Sequence, residues 1–239
     1  MKKITLKGAR YIACAVLMIV VGALTVYSVG DRPTVSLLGG ESYSPYYHGD
    51  RSIARVAIMI NVYENAEIVS EMIDLLKEND AKATFFVGGC WADDNTETVK
   101  KIVDNEMEIA NHGYFHKDCK KLTDAELERE ITTCHTLIKN LCGADMKLFA
   151  PPSGSFNVST LKVTEKLGYK SIMWSKDTID WRDSDVETII SRATEKFENG
   201  DMILMHPKPH SLTALKTIIK FYKEKNVETA TVSEIIQNG

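Results

Sequence analysis

Residues 55–89 read RVAIMINVYENAEIVSEMIDLLKENDAKATFFVGG, and this stretch decides the fold class. Val56 to Ile60 is an unbroken apolar run, short enough for a strand buried on both faces. From Ala66 to Glu78, Ile68, Met72, Leu75 and Leu76 recur at helical spacing. Ala83 to Val87 is a second apolar run, stopped by Gly88-Gly89. Strand, helix and strand in that order are the rhythm of a parallel α/β fold.

The rhythm carries on toward the C terminus. Thr96 to Asn105 predicts a helix and Glu108 to Ala110 a strand. Thr123 followed by Glu126 is a capping box that opens a long helix to about Leu141, with Gly143 as its stop. Lys147 to Ala150 reads as a strand closed by Pro151-Pro152, Asn157 starts a helix that ends near Gly168, and Ser171 to Trp174 is a strand. Helices over Asp185 to Glu198 and Leu212 to Lys223 flank a strand at Met202 to Met205, and Glu228 to Thr231 is the last strand. Rhythm alone does not separate a barrel from an open doubly wound sheet. In a barrel, polar residues just after the strands gather at one mouth. Those positions hold Asn61, His112, Asp177 and His206, which favours the barrel.

The N-terminal side differs. Lys2, Lys3, Lys7 and Arg10 precede a charge-free apolar stretch from Tyr11 to Val29. As a helix it would extend about 28 Å, close to the hydrocarbon thickness of a bilayer. The expectation is a basic cytoplasmic end at 1–10, a transmembrane anchor at 11–29, a Gly/Ser/Pro/Tyr-rich linker or loose wrap at 30–50, and an extracytoplasmic domain at 51–239. A cleaved signal peptide is the rival, with Val26-Tyr27-Ser28 as a fair cleavage site. A net charge of −4, with no basic run past residue 10, makes no electrostatic case for nucleic acid. Beyond Cys14 in the apolar stretch, Cys90, Cys119, Cys134 and Cys142 show no CxxC pattern, and they read as mostly free thiols. A monomer is expected.

Four segments carry chemistry. Asn111-His112-Gly113-Tyr114-Phe115-His116 follows a strand, and two imidazoles four apart can reach one metal ion. Ile203-Leu204-Met205-His206 ends a strand in a histidine able to act as general acid or base near neutral pH. Asp177-Thr178-Ile179-Asp180-Trp181 again follows a strand: Asp177 can orient a histidine or hold charge, and Trp181 can stack on a sugar ring. In Phe149-Ala150-Pro151-Pro152-Ser153-Gly154-Ser155, two prolines and a glycine fix a loop.

In this order, from about Arg55 to Gln237, the segments resemble the polysaccharide deacetylase family, which shares the NodB-homology domain. The resemblance implies a distorted (β/α)7 barrel, here preceded by one transmembrane helix. It implies removal of acetyl groups from peptidoglycan, chitin-like or xylan-type polymers with a divalent metal, zinc or possibly cobalt. By it, His112 and His116 are metal ligands and His206 the acid that protonates the leaving group. Leu204 and Trp181 line the acetyl pocket, and the Pro152-Ser153-Gly154 loop binds substrate, a backbone N–H near Ser153 stabilising the oxyanion.

This chain also departs from the family pattern. The family's first motif reads roughly Thr-Phe-Asp-Asp-Gly after the first strand; here Asn61 fills the base slot and Val62 the slot of the aspartate ligand. An amide is no useful base near neutral pH, and an isopropyl group binds no metal. Ala150 stands where the family has the arginine that orients the base, so base and orienter are missing together. Glu64 and Glu67 are candidates for the missing carboxylate; the alternative is that both favour the N-terminus of the following helix. The function expected first is a metal-dependent deacetylase of cell-wall glycan; the alternative is a catalytically impaired glycan-binding or scaffolding protein on the same fold.

Overall fold

The computed structural model describes residues 43–236. The chain divides after Tyr43 into two units, and the second, which starts at Ser44, holds every strand and helix of the described residues. The strands are β1 (Arg55–Val62), β2 (Thr84–Val87), β3 (Glu108–Asn111), β4 (Leu148–Phe149), β5 (Lys170–Ser171), β6 (Lys176–Asp177), β7 (Met202–Met205) and β8 (Glu228–Ala230). The helices are α1 (Ala66–Glu78), α2 (Gly89–Asp94), α3 (Thr96–Asp104), α4 (Asp124–Cys142), α5 (Val158–Lys166), α6 (Val186–Thr194), α7 (Pro209–Glu224) and α8 (Val232–Ile236).

The strands run parallel in the order β5-β4-β3-β2-β1-β7-β6, with β8 against the start of β1. The expected strand at Ser171 to Trp174 is replaced by two short pieces, because the chain changes partner there. β5 pairs with β4 and β6 with β7. Between them the Ile172 amide still donates to Phe149 O (2.8 Å) and that of Ser175 to Met202 O (3.1 Å), while the Met173 amide turns to Tyr46 O (2.8 Å). The described sheet has eight strands where a seven-stranded barrel was expected and, left open at this seam, is a half-barrel.

The helices follow their signals with a few shifts. The Thr123–Glu126 capping box opens α4, and Gly143 ends it at φ 76°. α6 is capped by Asp185 and stops at Thr194, short of the expected Glu198, and Lys196 beyond it takes φ 48°. α7 starts earlier than expected, at Pro209, where proline suits a first helical turn. α2 was not expected. Residues 46–50 do not hang loose: the Tyr46 amide donates to Ser171 O (2.9 Å), that of Gly49 to Gly200 O (2.8 Å), and that of Asp50 to Ile235 O (2.8 Å). The expected anchor at 11–29 lies outside the described residues. Among those described, no helix is long and apolar enough to cross a membrane.

Strand parity places the site. Successive side chains of a strand point to opposite faces. On β1, Val56, Ile58, Ile60 and Val62 join the larger core between sheet and helices, while Ala57 and Met59 join the smaller core inside the arc. Asn61 shares their parity. On β3, Ile109 faces the helices and Ala110 the interior, so His112 points inward; on β7, Met202, Leu204 and His206 point inward by the same rule. α8 closes the other end of the interior with Val232, Ile235 and Ile236. The polar inward positions therefore meet at the C-terminal ends of the strands.

Candidate functional site

At that mouth lies a cavity of about 660 Å³. Asn61, His112, His116, Asp177, Leu204 and His206 line it, with Ser153, Trp181, Tyr63, Trp174 and Glu64 toward the rim. The two expected histidines do converge: the His112 and His116 rings stand 5.0 Å apart, centroid to centroid. They sit on a loop. Gly113 takes φ 77° and His116 φ 54°, which folds the segment back on itself.

Two residues hold that loop. Asn111 accepts from the Gly113 amide (2.9 Å) and donates to Ile131 O on α4 (2.9 Å). Glu130 of α4, buried on its apolar side, accepts from the amides of Tyr114 (3.0 Å) and Phe115 (2.7 Å) and pairs with Lys117 (3.0 Å). Sequence reading missed Glu130; its signal was a carboxylate between Leu127 and Ile131, on the face that must be apolar.

His112 is buried, and its Nδ1 lies 2.8 Å from Ala150 O. A carbonyl only accepts, so Nδ1 carries the proton and Nε2 keeps its lone pair for the cavity. Burial pushes its pKa down to about 3, with His116 and His206 adding to the effect. Burial likewise lowers His116.

His206 is held by Asp180. The carboxylate accepts from His206 Nδ1 (2.7 Å), the His206 amide (2.7 Å) and Ser211 Oγ (2.6 Å). Burial alone would raise the Asp180 pKa, but the hydrogen bond and charge of His206, helped by Ser211, turn the shift downward. The orienting role expected of Asp177 thus falls to Asp180: Asp177 accepts from the Ile179 amide (2.8 Å), closing a turn, and faces the cavity. The spacing explains it, since the turn at Ile179 (φ 56°) carries the chain back under His206.

The substrate residues divide. Ser153, Leu204 and Trp181 line the cavity, Trp181 being 57% exposed at the rim. Pro152 and Gly154 shape it instead. Gly154 adopts φ 63°, and a Cβ there would lie 2.8 Å from the Trp174 ring. Tyr63, in the slot of the motif's glycine, sets its ring 4.9 Å from that of His116.

Neither glutamate restores the ligand set. Glu67 is exposed in the first turn of α1 and does not line the cavity. Glu64 reaches the rim but pairs with Lys208. Val62 is buried in the larger core. Among the described residues, no three His, Cys, Asp or Glu side chains are grouped to hold a metal ion. Two imidazoles beside an amide do not fit the aspartate–histidine–histidine set. The four described cysteines are free, and burial pushes the Cys119 and Cys134 thiols up to about 12, which leaves them inert.

Comparison with known proteins agrees with the geometry. The polysaccharide deacetylase family pattern matches residues 49–172. The uncharacterized protein YlxY of Bacillus subtilis (strain 168) is 35% identical over 192 residues, 80% of this chain but only 60% of that protein's length. A peptidoglycan-N-acetylglucosamine deacetylase of Bacillus cereus is 29% identical over 204 residues, covering 83% of this chain and 74% of the enzyme. Among solved structures, a CE4 family pseudoenzyme from Bacillus anthracis superposes with TM-score 0.78 at 32% identity, over 85% of this chain and 72% of that one. A mutant of it with restored enzymatic activity aligns at the same TM-score.

Proposed function

This chain belongs to the polysaccharide deacetylase family, and from that premise we propose that it binds N-acetylated cell-wall glycan without hydrolysing it. One observation carries the reading: the inward position at the end of β1 holds Asn61, and no carboxylate joins His112 and His116 among the described residues. An amide takes no proton from water near neutral pH. What remains suits holding: an apolar floor at Leu204, aromatic rings at Trp181, Trp174 and Tyr63, and the neutral imidazole of His112. The relative from Bacillus anthracis is itself a pseudoenzyme. Residues 11–29, read as an anchor, would keep the domain at the outer membrane face, near such polymers.

The test measures binding and chemistry together. The full chain is mixed with chitin oligomers or peptidoglycan, with added zinc or cobalt, and acetate release is followed beside affinity. Binding with acetate at background is expected. Metal-dependent release abolished by His112→Ala would overturn the reading.

The intact Asp180–His206–Ser211 arrangement favours a second reading, a slow deacetylase. With Nδ1 bonded to Asp180, His206 presents Nε2 to the cavity, where it can protonate a departing nitrogen. The same acetate assay decides between the two.

A further inference from the structure

Asn61 is 5% exposed and lines the cavity, yet its Oδ1 meets no hydrogen-bond partner among the described residues. Buried polar groups are nearly always paired, and each exception asks for an explanation. Nearby, the His112 ring is held to Ala150 O and the His206 ring to Asp180, each through Nδ1 alone, Ser211 gives its hydroxyl to Asp180, and Lys208 pairs with Glu64. Asn61 stands apart from them.

We infer that Asn61 is the specificity residue for the acetamido group, its Oδ1 left without a partner in the free protein and completed by the N–H of an N-acetyl sugar. This rests on the binding function proposed above and names the group that is read. A carboxamide has an acceptor at one end and a donor at the other. A ligand that pairs both ends at once must offer both a donor and an acceptor. An acetamido group has an N–H and a C=O. An O-acetyl ester has only acceptors, and a free amino group is a charged donor that leaves the apolar surface of Leu204 uncovered. A neutral amide also draws no metal or ammonium strongly, unlike the carboxylate it replaces.

The test compares wild type with Asn61→Leu, close in shape and without polar atoms. Affinity for the N-acetylglucosamine tetramer is measured by calorimetry on the full chain in EDTA. The glucosamine tetramer and O-acetylated xylan oligomers serve as controls, and melting temperature is read alongside. Wild type is expected to prefer the N-acetylated tetramer. The substitution should weaken that binding about tenfold or more, leave the control ligands unmoved, and not lower the melting temperature, since an unpaired polar group has gone. Asn61→Ala gives the same comparison should the leucine variant fail to fold.

Binding by wild type that neither variant weakens overturns the role of Asn61 and leaves glycan binding standing. Wild type binding none of the glycans overturns glycan binding itself, and this role with it. A separate zinc titration is run without EDTA: loss of zinc affinity in the variants with unchanged glycan affinity makes Asn61 a metal ligand and overturns the inference.

Discussion

His112 is a neutral imidazole enclosed by protein, and its environment makes it an acid-sensitive point. Its ordinary value of 6.5 falls to about 3 in the fold, chiefly through burial. The unfolded chain therefore binds one more proton than the native chain between those values. Stability is full above pH 6.5 and declines as pH falls toward about 3. His112→Phe should flatten part of that decline in EDTA, seen as a smaller loss of melting temperature between about pH 7 and pH 4.5. Asp180 adds in the same direction: its lowered pKa contributes stability above the ordinary carboxylate range, lost as pH falls through the folded value. Most of the residues that line the cavity were legible one by one, because each directly follows an apolar run. The division of labour was not. Whether Asp177 or Asp180 reaches His206 depends on the turn at Ile179, which has no distinctive spelling.

At the scale of elements, the 112–116 loop depends on α4. Glu130 takes two loop amides and Lys117, so Glu130→Ala leaves those donors without their acceptor. A loss of about 1–3 kcal/mol in urea unfolding is expected, with Glu130→Gln losing less because it keeps an oxygen. The capping box of α4 is a separable contribution: Thr123→Ala should cost about 1 kcal/mol without changing glycan affinity. The capping signals were readable because they are local: Thr123 and Glu126 sit three apart. The seam between β5 and β6 was not readable, because Ile172 to Ser175 look like any half-apolar strand. What breaks it is the competition of Tyr46, far away in sequence, for the Met173 amide.

In the unit that starts at Ser44, the sheet is an incomplete ring fastened by the chain that precedes β1. Residues 46–50 tie β5, the turn at Gly200 and the end of α8 by backbone hydrogen bonds. A chain starting at Arg51 should unfold about 2–6 kcal/mol more easily than one starting at Ser44, measured by urea titration, if each lost bond is worth the usual net amount. The fold class was legible because the parallel rhythm is long and regular. The fastening was not, since the stretch from Gly30 to Asp50 has no periodicity.

Parity along β1 has an evolutionary consequence. Ala57 and Met59 face the interior below the cavity and Asn61 lines the cavity itself, while the even-numbered side chains write the shell beneath the helices. The two scripts drift apart freely. A lineage can swap a proton acceptor for a carboxamide at residue 61 with no repair in the shell. Reversing residue 62 means prising a valine out of packed hydrocarbon. At residue 61 a substitution alters the cavity alone, whereas at residue 62 it disturbs the packed shell.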